Sequence, residues 1–197
     1  MGVNSTVRMT GVAKTTILRL IRHLGTACAK HHDSAVRGLR SERIHTDEIW
    51  AFDYCKANNV AKAKAAPGAA GDVWTWTAID ADSKLIIAYR VGLRTQYDAN
   101  EFMLDFAVRI VSQRPQLTTD GHTTYPDAVE NAFGFDVDYA QLVKHYSGLS
   151  EQRSSEAKYS PPAMCMATKL PILGLPDSRH TCTCFVERYN LTISAWA

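Results

Sequence analysis

An α/β domain built on a mixed sheet, preceded by a pair of helices, is what the sequence predicts, and three observations carry that expectation. Strand-like runs rich in β-branched and aromatic residues cluster between residues 43 and 92. Helix-periodic and strand-like segments then alternate from residue 96 to residue 146, the pattern of crossover units. The first 25 residues are different again, with a 3.6-residue apolar period and cations on the remaining faces.

Size and composition set the limits. A chain of 197 residues is long enough for one sizeable core. Its formal net charge of +2 argues neither for nor against nucleic acid, so the local distribution of charge has to decide. The five cysteines are odd in number and scattered, which predicts free thiols in a reducing cytosol. No apolar run approaches the roughly 20 residues that cross a bilayer, and the first ten residues lack a signal-peptide stretch. These features predict a cytoplasmic protein with no membrane partner.

Taken in order, "VNSTVRMTGVAKTTILRLIRHLG" (3–25) reads as a short helix, a turn at Gly11 and a second helix that stops at Gly25. Ile17, Leu20, Ile21 and Leu24 make one helical face that is expected to be buried. Residues 26–42 read as a helical connector. "RIHTDEIWAFDYC" (43–55) is the opening strand, and "KANNVAKAKAAPGAAGD" (56–72) is an exposed loop at a hairpin tip. "VWTWTAID" (73–80) and "LIIAYRVG" (85–92) form strands joined by a polar turn. A helix over 96–112, a short strand over 116–121, a helix over 125–134 closed by Gly134 and a strand over 137–146 follow. Residues 147–181 read as irregular, and "CFVERYNLTISAWA" begins as a helix.

The chemistry lies in carboxylates. Asp is disfavoured in strands, yet the opening strand holds Asp47, Glu48 and Asp53. Alternation puts His45, Asp47, Ile49, Ala51 and Asp53 on one face and Glu48 on the other. Asp120 ends a short strand just before Gly121, where an α/β sheet presents residues to a ligand, and Glu187 lies on the last helix. Carboxylates brought together repel, so they raise their own pKa values or capture a hard cation such as Mg²⁺. Each one taken alone reads first as a solvated surface group or a helix cap. Asp53 lies about 20 Å along the strand from Asp47 at roughly 3.3 Å per residue, and with Glu48 it reads as a structural or surface group.

"HTDEIWAF", "DVWTWTAIDADSKLI", "QLTTDGHTTYPDAVENAFG", "DVDYAQLVKHY" and "FVERYNLT", in this order, resemble transposases of the insertion-sequence-one family. The resemblance implies a ribonuclease-H-like mixed sheet flanked by helices (43–197), preceded by a small helix-turn-helix DNA-binding segment and connector (1–42). It places the family's Asp-Asp-Glu triad on Asp47, Asp120 and Glu187, as both catalytic groups and ligands for Mg²⁺ or Mn²⁺. The implied activity is cleavage of DNA ends and their transfer to target DNA. The implied partners are the element's terminal inverted repeats, target DNA and further copies of the chain. "TGVAKTTILRLI" resembles the family's helix-turn-helix, with Ala13 where a Ser cap is usual. The DNA-contacting set is then Lys14, Thr15, Thr16, Arg19 and Arg22, with Lys144 and Arg188 as phosphate contacts.

Relatives usually begin with cysteine pairs of zinc-ribbon type and continue past the "VERYNLT" segment into an Arg-rich helix. This sequence has neither, which implies a copy truncated at both ends. The alternative function is therefore a catalytically inactive DNA-binding remnant that represses or competes with intact transposase. His180, Cys182 and Cys184, with Cys165 upstream, offer a second metal-type cluster, but no clear second pair completes a zinc site.

Overall fold

The computed structural model describes residues 2–146 and 164–196, with side chains from 2 to 146 and from 166 to 193. Helix α1 (Val3–Thr10) ends at Gly11, whose φ of +69° lets its N–H reach back to the Val7 carbonyl. Helix α2 (Lys14–Ala35) starts at Ala13, which makes no side-chain cap.

α2 departs from expectation twice. It runs straight through Gly25, because flanking Ala27, Ala29 and Lys30 favour helix and one glycine costs only about 1 kcal/mol. Its apolar stripe is also not buried: Leu20 is 66% and Leu24 60% exposed. Among the described residues, the C-terminal end of α2 is what docks on the sheet. His32 Nε2 lies 3.0 Å from the Ile86 carbonyl oxygen. Buried Arg109 donates to Asp33 at 2.9 Å, to Asp105 at 2.8 Å and to the Val36 carbonyl at 3.2 Å.

The sheet follows. Strand β1 (Arg43–Asp53), a short helix α3 (Ala57–Val60), β2 (Gly71–Asp80) and β3 (Ile86–Gly92) form an antiparallel meander. Helix α4 (Gln96–Ala107), β4 (Gln116–Asp120), α5 (Tyr125–Phe133) and β5 (Asp138–Tyr146) add two parallel pairings, β1 with β4 and β4 with β5. Strand β6 (Met164–Leu173) pairs antiparallel with β5, and α6 (Cys184–Trp196) closes the described chain. The six strands lie in the order β3-β2-β1-β4-β5-β6. This is the mixed, helix-flanked α/β sheet of ribonuclease-H-like type that was expected.

Local chemistry explains the elements. Thr95 caps α4 by accepting from the Asp98 N–H at 3.2 Å. α4 stops at Ala107 rather than 112, because the β-branched run that follows is drawn into a bridge: Leu39 N–H bonds to Arg109 O and Val111 N–H to Leu39 O, both at 2.9 Å. Pro126 opens α5 and Gly134 ends it. Ile44, Trp76, Phe102, Phe106, Leu117, Tyr125 and Tyr139 fill the core between the sheet and helices α4 and α5. Trp76 meets Phe102 and Tyr125 at ring distances of 6.0 and 5.6 Å.

Strand β6 corrects the reading of 147–181 as irregular. β6 is an edge strand, where Pro171 is tolerated, and its pairing with β5 is non-local, so polarity and Pro content masked it. The rest of that reading, 147–163, lies outside the described residues.

Candidate active site

The sheet itself assembles the site. Parallel pairing of β1 with β4 runs from Arg43↔Gln116 to His45↔Thr118. Two residues further along each strand come Asp47 and Asp120, at the carboxyl end where the strands part and leave a crevice. Helix α6 lies against β1, and Asn190 Nδ2 donates to Asp47 Oδ2 at 2.8 Å. Asp120 Oδ1 accepts the His122 N–H at 3.0 Å. A cleft of about 570 Å³ is lined by Asp47, Asp120, Glu187, Arg94, His122 and Lys144, among others. Residues separated in sequence by 73 (47 to 120) and 67 (120 to 187) thus line one cleft.

Within it the carboxylates differ. Asp47 is pushed up to about 6, first by burial and then by the charge of Asp120. Glu187 behaves in the opposite way. Burial would raise it, but hydrogen bonds from Lys144 and Thr183, with the Lys144 charge, hold it below the usual range. Lys144 Nζ sits 2.5 Å from Glu187 Oε1. Glu187 is therefore an ion-paired anion, and Asp47 is a crowded one.

Glu48 is the residue that the sequence reading set aside. Its placement on the face opposite Asp47 is correct, since it pairs with buried Trp76 across to β2. Its carboxylate is nonetheless within the site. Ligand-type oxygens of Asp47, Glu48 and Asp120 all lie within 4.8 Å of one another. Only 1% of the Glu48 side chain is exposed, and its Oε1 has no hydrogen-bond partner. Burial, then the charge of Asp120, pushes Glu48 up to about 7 against the opposing pull of Arg94. Arg94 bridges the pair, with Nη2 3.3 Å from Glu48 Oε2 and 3.5 Å from Asp120 Oδ2. Burial and the carboxylates of Glu48 and Asp120 also drive the Tyr125 phenol well above its ordinary value.

An all-oxygen donor set with a buried, unpartnered carboxylate oxygen fits a hard divalent cation. Three carboxylates in such proximity raise their own pKa values or draw in positive charge, which Arg94 and Lys144 supply in part.

The remaining expected residues take varied positions. Lys14, Thr15, Thr16, Arg19 and Arg22 are all exposed on α2, far along the chain from the cleft residues. Arg188 is exposed on the other face of α6 and lines a second pocket with Lys84, Phe185 and Tyr189. Asp53 stands exposed at the end of β1, opposite Gly71. His122 bonds Thr124 through Nδ1 at 2.7 Å and lies edge-on to Trp76. Cys182 and Cys184 bring their sulfur atoms together, while Cys28 and Cys55 are free thiols. His180 Nδ1 meets Arg43 at 3.0 Å. Arg94, Glu48 and Asn190 are the site residues that the sequence reading missed. Asn190 had a signal, since it follows Glu187 by three residues on one helix face. Arg94 had none.

Among the described residues, no helix is long and apolar enough to cross a membrane. No family model and no curated protein matches the sequence. Among solved structures, the chain is similar to a piggyBac transposase in a synaptic complex with hairpin DNA determined by cryo-EM. That similarity has a TM-score of 0.38 and 12% identity over 78% of this chain, which spans 38% of the length of that one.

Proposed function

We propose that the chain is a DNA transposase of the insertion-sequence type, acting through Mg²⁺ or Mn²⁺ held by Asp47 and Asp120. The observation that carries this reading is the convergence of Asp47, Glu48 and Asp120 at the parting ends of two parallel strands. Bound metal would supply Lewis-acid polarisation of a phosphodiester. The chain's own residues do the rest. Lys144 and Arg94, both in the cleft, neutralise phosphate charge and position the strand. Glu187, held by Lys144 and Thr183, completes the Asp-Asp-Glu triad from α6. Residues 1–42 form the DNA-binding segment in this reading. Lys14, Thr15, Thr16, Arg19 and Arg22 contact the terminal repeats, and two or more copies pair the two DNA ends.

The test is strand cleavage and joining with purified full chain, Mg²⁺ or Mn²⁺, and duplex DNA taken from the flanks of the coding sequence. Nicking at the repeats that Asp120→Asn abolishes while specific binding persists is the expected result. Specific binding with no cleavage by the parent chain would instead establish the inactive, competing DNA binder.

A further inference from the structure

β1 and β2 stay paired from Ile44↔Asp80 out to Asp53↔Gly71, whereas β4 accompanies β1 only as far as His45. The outer part of this pairing is a ribbon that projects past the core. One of its faces carries Glu48, Trp50 and Phe52 from β1, with Trp74 directly opposite Trp50. Trp50 is 39% and Phe52 49% exposed, and their rings are 5.8 Å apart. Each tryptophan carries a cation: Lys56 Nζ lies 5.0 Å from the Trp50 ring centre, and Arg94 Cζ lies 4.6 Å from that of Trp74.

Single exposed apolar residues are ordinary, but adjacent exposed aromatics under cations form a binding surface. Its chemistry selects the occupant. Residues 53–72 hold three lysines, Lys56, Lys62 and Lys64, against two carboxylates, Asp53 and Asp72, so the balance of charge at the ribbon's end is positive and favours an anionic partner. An apolar protein partner would be served poorly, because lysine is depleted at protein interfaces. Flat rings with flanking cations suit bases that are splayed open, since a duplex keeps its base faces stacked internally. The inner end of the ribbon also joins the carboxylates: Arg94, over Trp74, is the same group that bridges Glu48 and Asp120.

We propose that the Trp50–Trp74 ribbon is a stacking platform for unpaired nucleotides of a DNA strand leaving the cleft, with Lys56 and Arg94 on its phosphates. The proposal rests on the transposase reading for its substrate, but its test does not. The full chain is titrated in EDTA with a labelled oligothymidylate of about twelve nucleotides, within the usual site sizes of single-strand binders, and separately with a blunt duplex. Expected are quenching of tryptophan fluorescence by the single strand and a loss of at least about fivefold in its affinity on Trp50→Ala, with Trp50→Phe restoring most of it. Duplex affinity should change less than about twofold in Trp50→Ala, since backbone contacts elsewhere dominate it. Lys56→Gln, an exposed change that cannot unfold the chain, should weaken single-strand binding and flatten its salt dependence. The proposal is overturned if the parent does not bind oligothymidylate, or if Trp50→Ala and Lys56→Gln bind it as the parent does. It is equally overturned if light scattering finds a dimer that Trp50→Ala dissolves with DNA affinity unmoved, which would make the ribbon a contact between copies. Stacking without cleavage in Mg²⁺ would sink the transposase reading alone, and cleavage without stacking would sink this one alone.

Discussion

Arg43–Glu48 and Ile49–Asp53 are two halves of one strand, paired to β2 along the whole length, and they meet opposite environments. Ile44, His45, Thr46 and Glu48 are buried, while Trp50, Ala51, Phe52 and Asp53 are exposed. The inner half is polar apart from Ile44 and the outer half apolar apart from Asp53, so composition alone would predict the reverse burial. What separates them is company. The inner half has β4 beside it and packed elements on its faces, whereas among the described residues the outer half has only β2 beside it in the sheet, with α6 reaching Ile49 and Trp50. Burial thus turns the inner carboxylates into a strained, charge-seeking cluster, and its absence leaves the outer aromatics free to meet a ligand.

The sharpest way to break this contrast is at the inner half. Asp47→Asn or Asp120→Asn should lower strand cleavage by at least about 10³-fold, as expected when a metal ligand worth several kcal/mol is lost, with the fold retained in circular dichroism. A second comparison sets Trp76, fully buried, against Trp50, on the same face of the ribbon. Trp76→Ala should cost about 3–5 kcal/mol in urea denaturation. It also forfeits the 3.1 Å hydrogen bond from Trp76 Nε1 to the Leu93 carbonyl. Trp50→Ala should stay within about 0.5 kcal/mol of the parent, as surface changes do.

Acidity gives a subtler contrast. Asp47 rises from 3.8 to about 6 and Glu48 from 4.5 to about 7, so across that window these two groups bind more protons in the folded, metal-free chain than in the unfolded one. These two carboxylates therefore lower stability as pH rises from about 4 to about 7, opposite to the trend of an ion-paired carboxylate, while buried His45, held down to about 4, acts in the other direction below its ordinary value. Glu48→Gln should flatten the upper part of that fall in thermal denaturation, because the site then has one less charge to suppress. A stability difference between the parent and Glu48→Gln that stays constant through this window would show that the inner carboxylates are not crowded, since the His45 contribution is common to both chains.

Much of this was legible in the sequence, and the misses share a cause. The order of strands and longer helices from Arg43 to Tyr146 follows from periodicity, turn chemistry and resemblance, as do the three carboxylates that line one cleft, whereas the short α3 lies in a stretch that reads as loop. Strand β6 did not, because its evidence is a partner strand rather than a pattern. Gly25 looked like a stop, but a helix integrates propensity over many residues, and one glycine does not outweigh its neighbours. The apolar stripe of α2 was read as buried, yet periodicity reports a face and not what covers it. Glu48 was assigned to the correct face and the wrong role, since alternation along a strand says nothing about what a neighbouring strand brings beside it.

The central claim is that Asp47, Glu48 and Asp120 form one divalent-cation site, and metal binding tests it without reference to DNA. Mn²⁺ titration of the full chain near pH 8, followed by electron paramagnetic resonance, should show saturable binding. That binding should disappear in Asp47→Asn and Asp120→Asn, weaken in Glu48→Gln, and fade toward pH 5 as the carboxylates take up protons. Saturable binding that survives both aspartate substitutions, or no saturable binding at all, would contradict it.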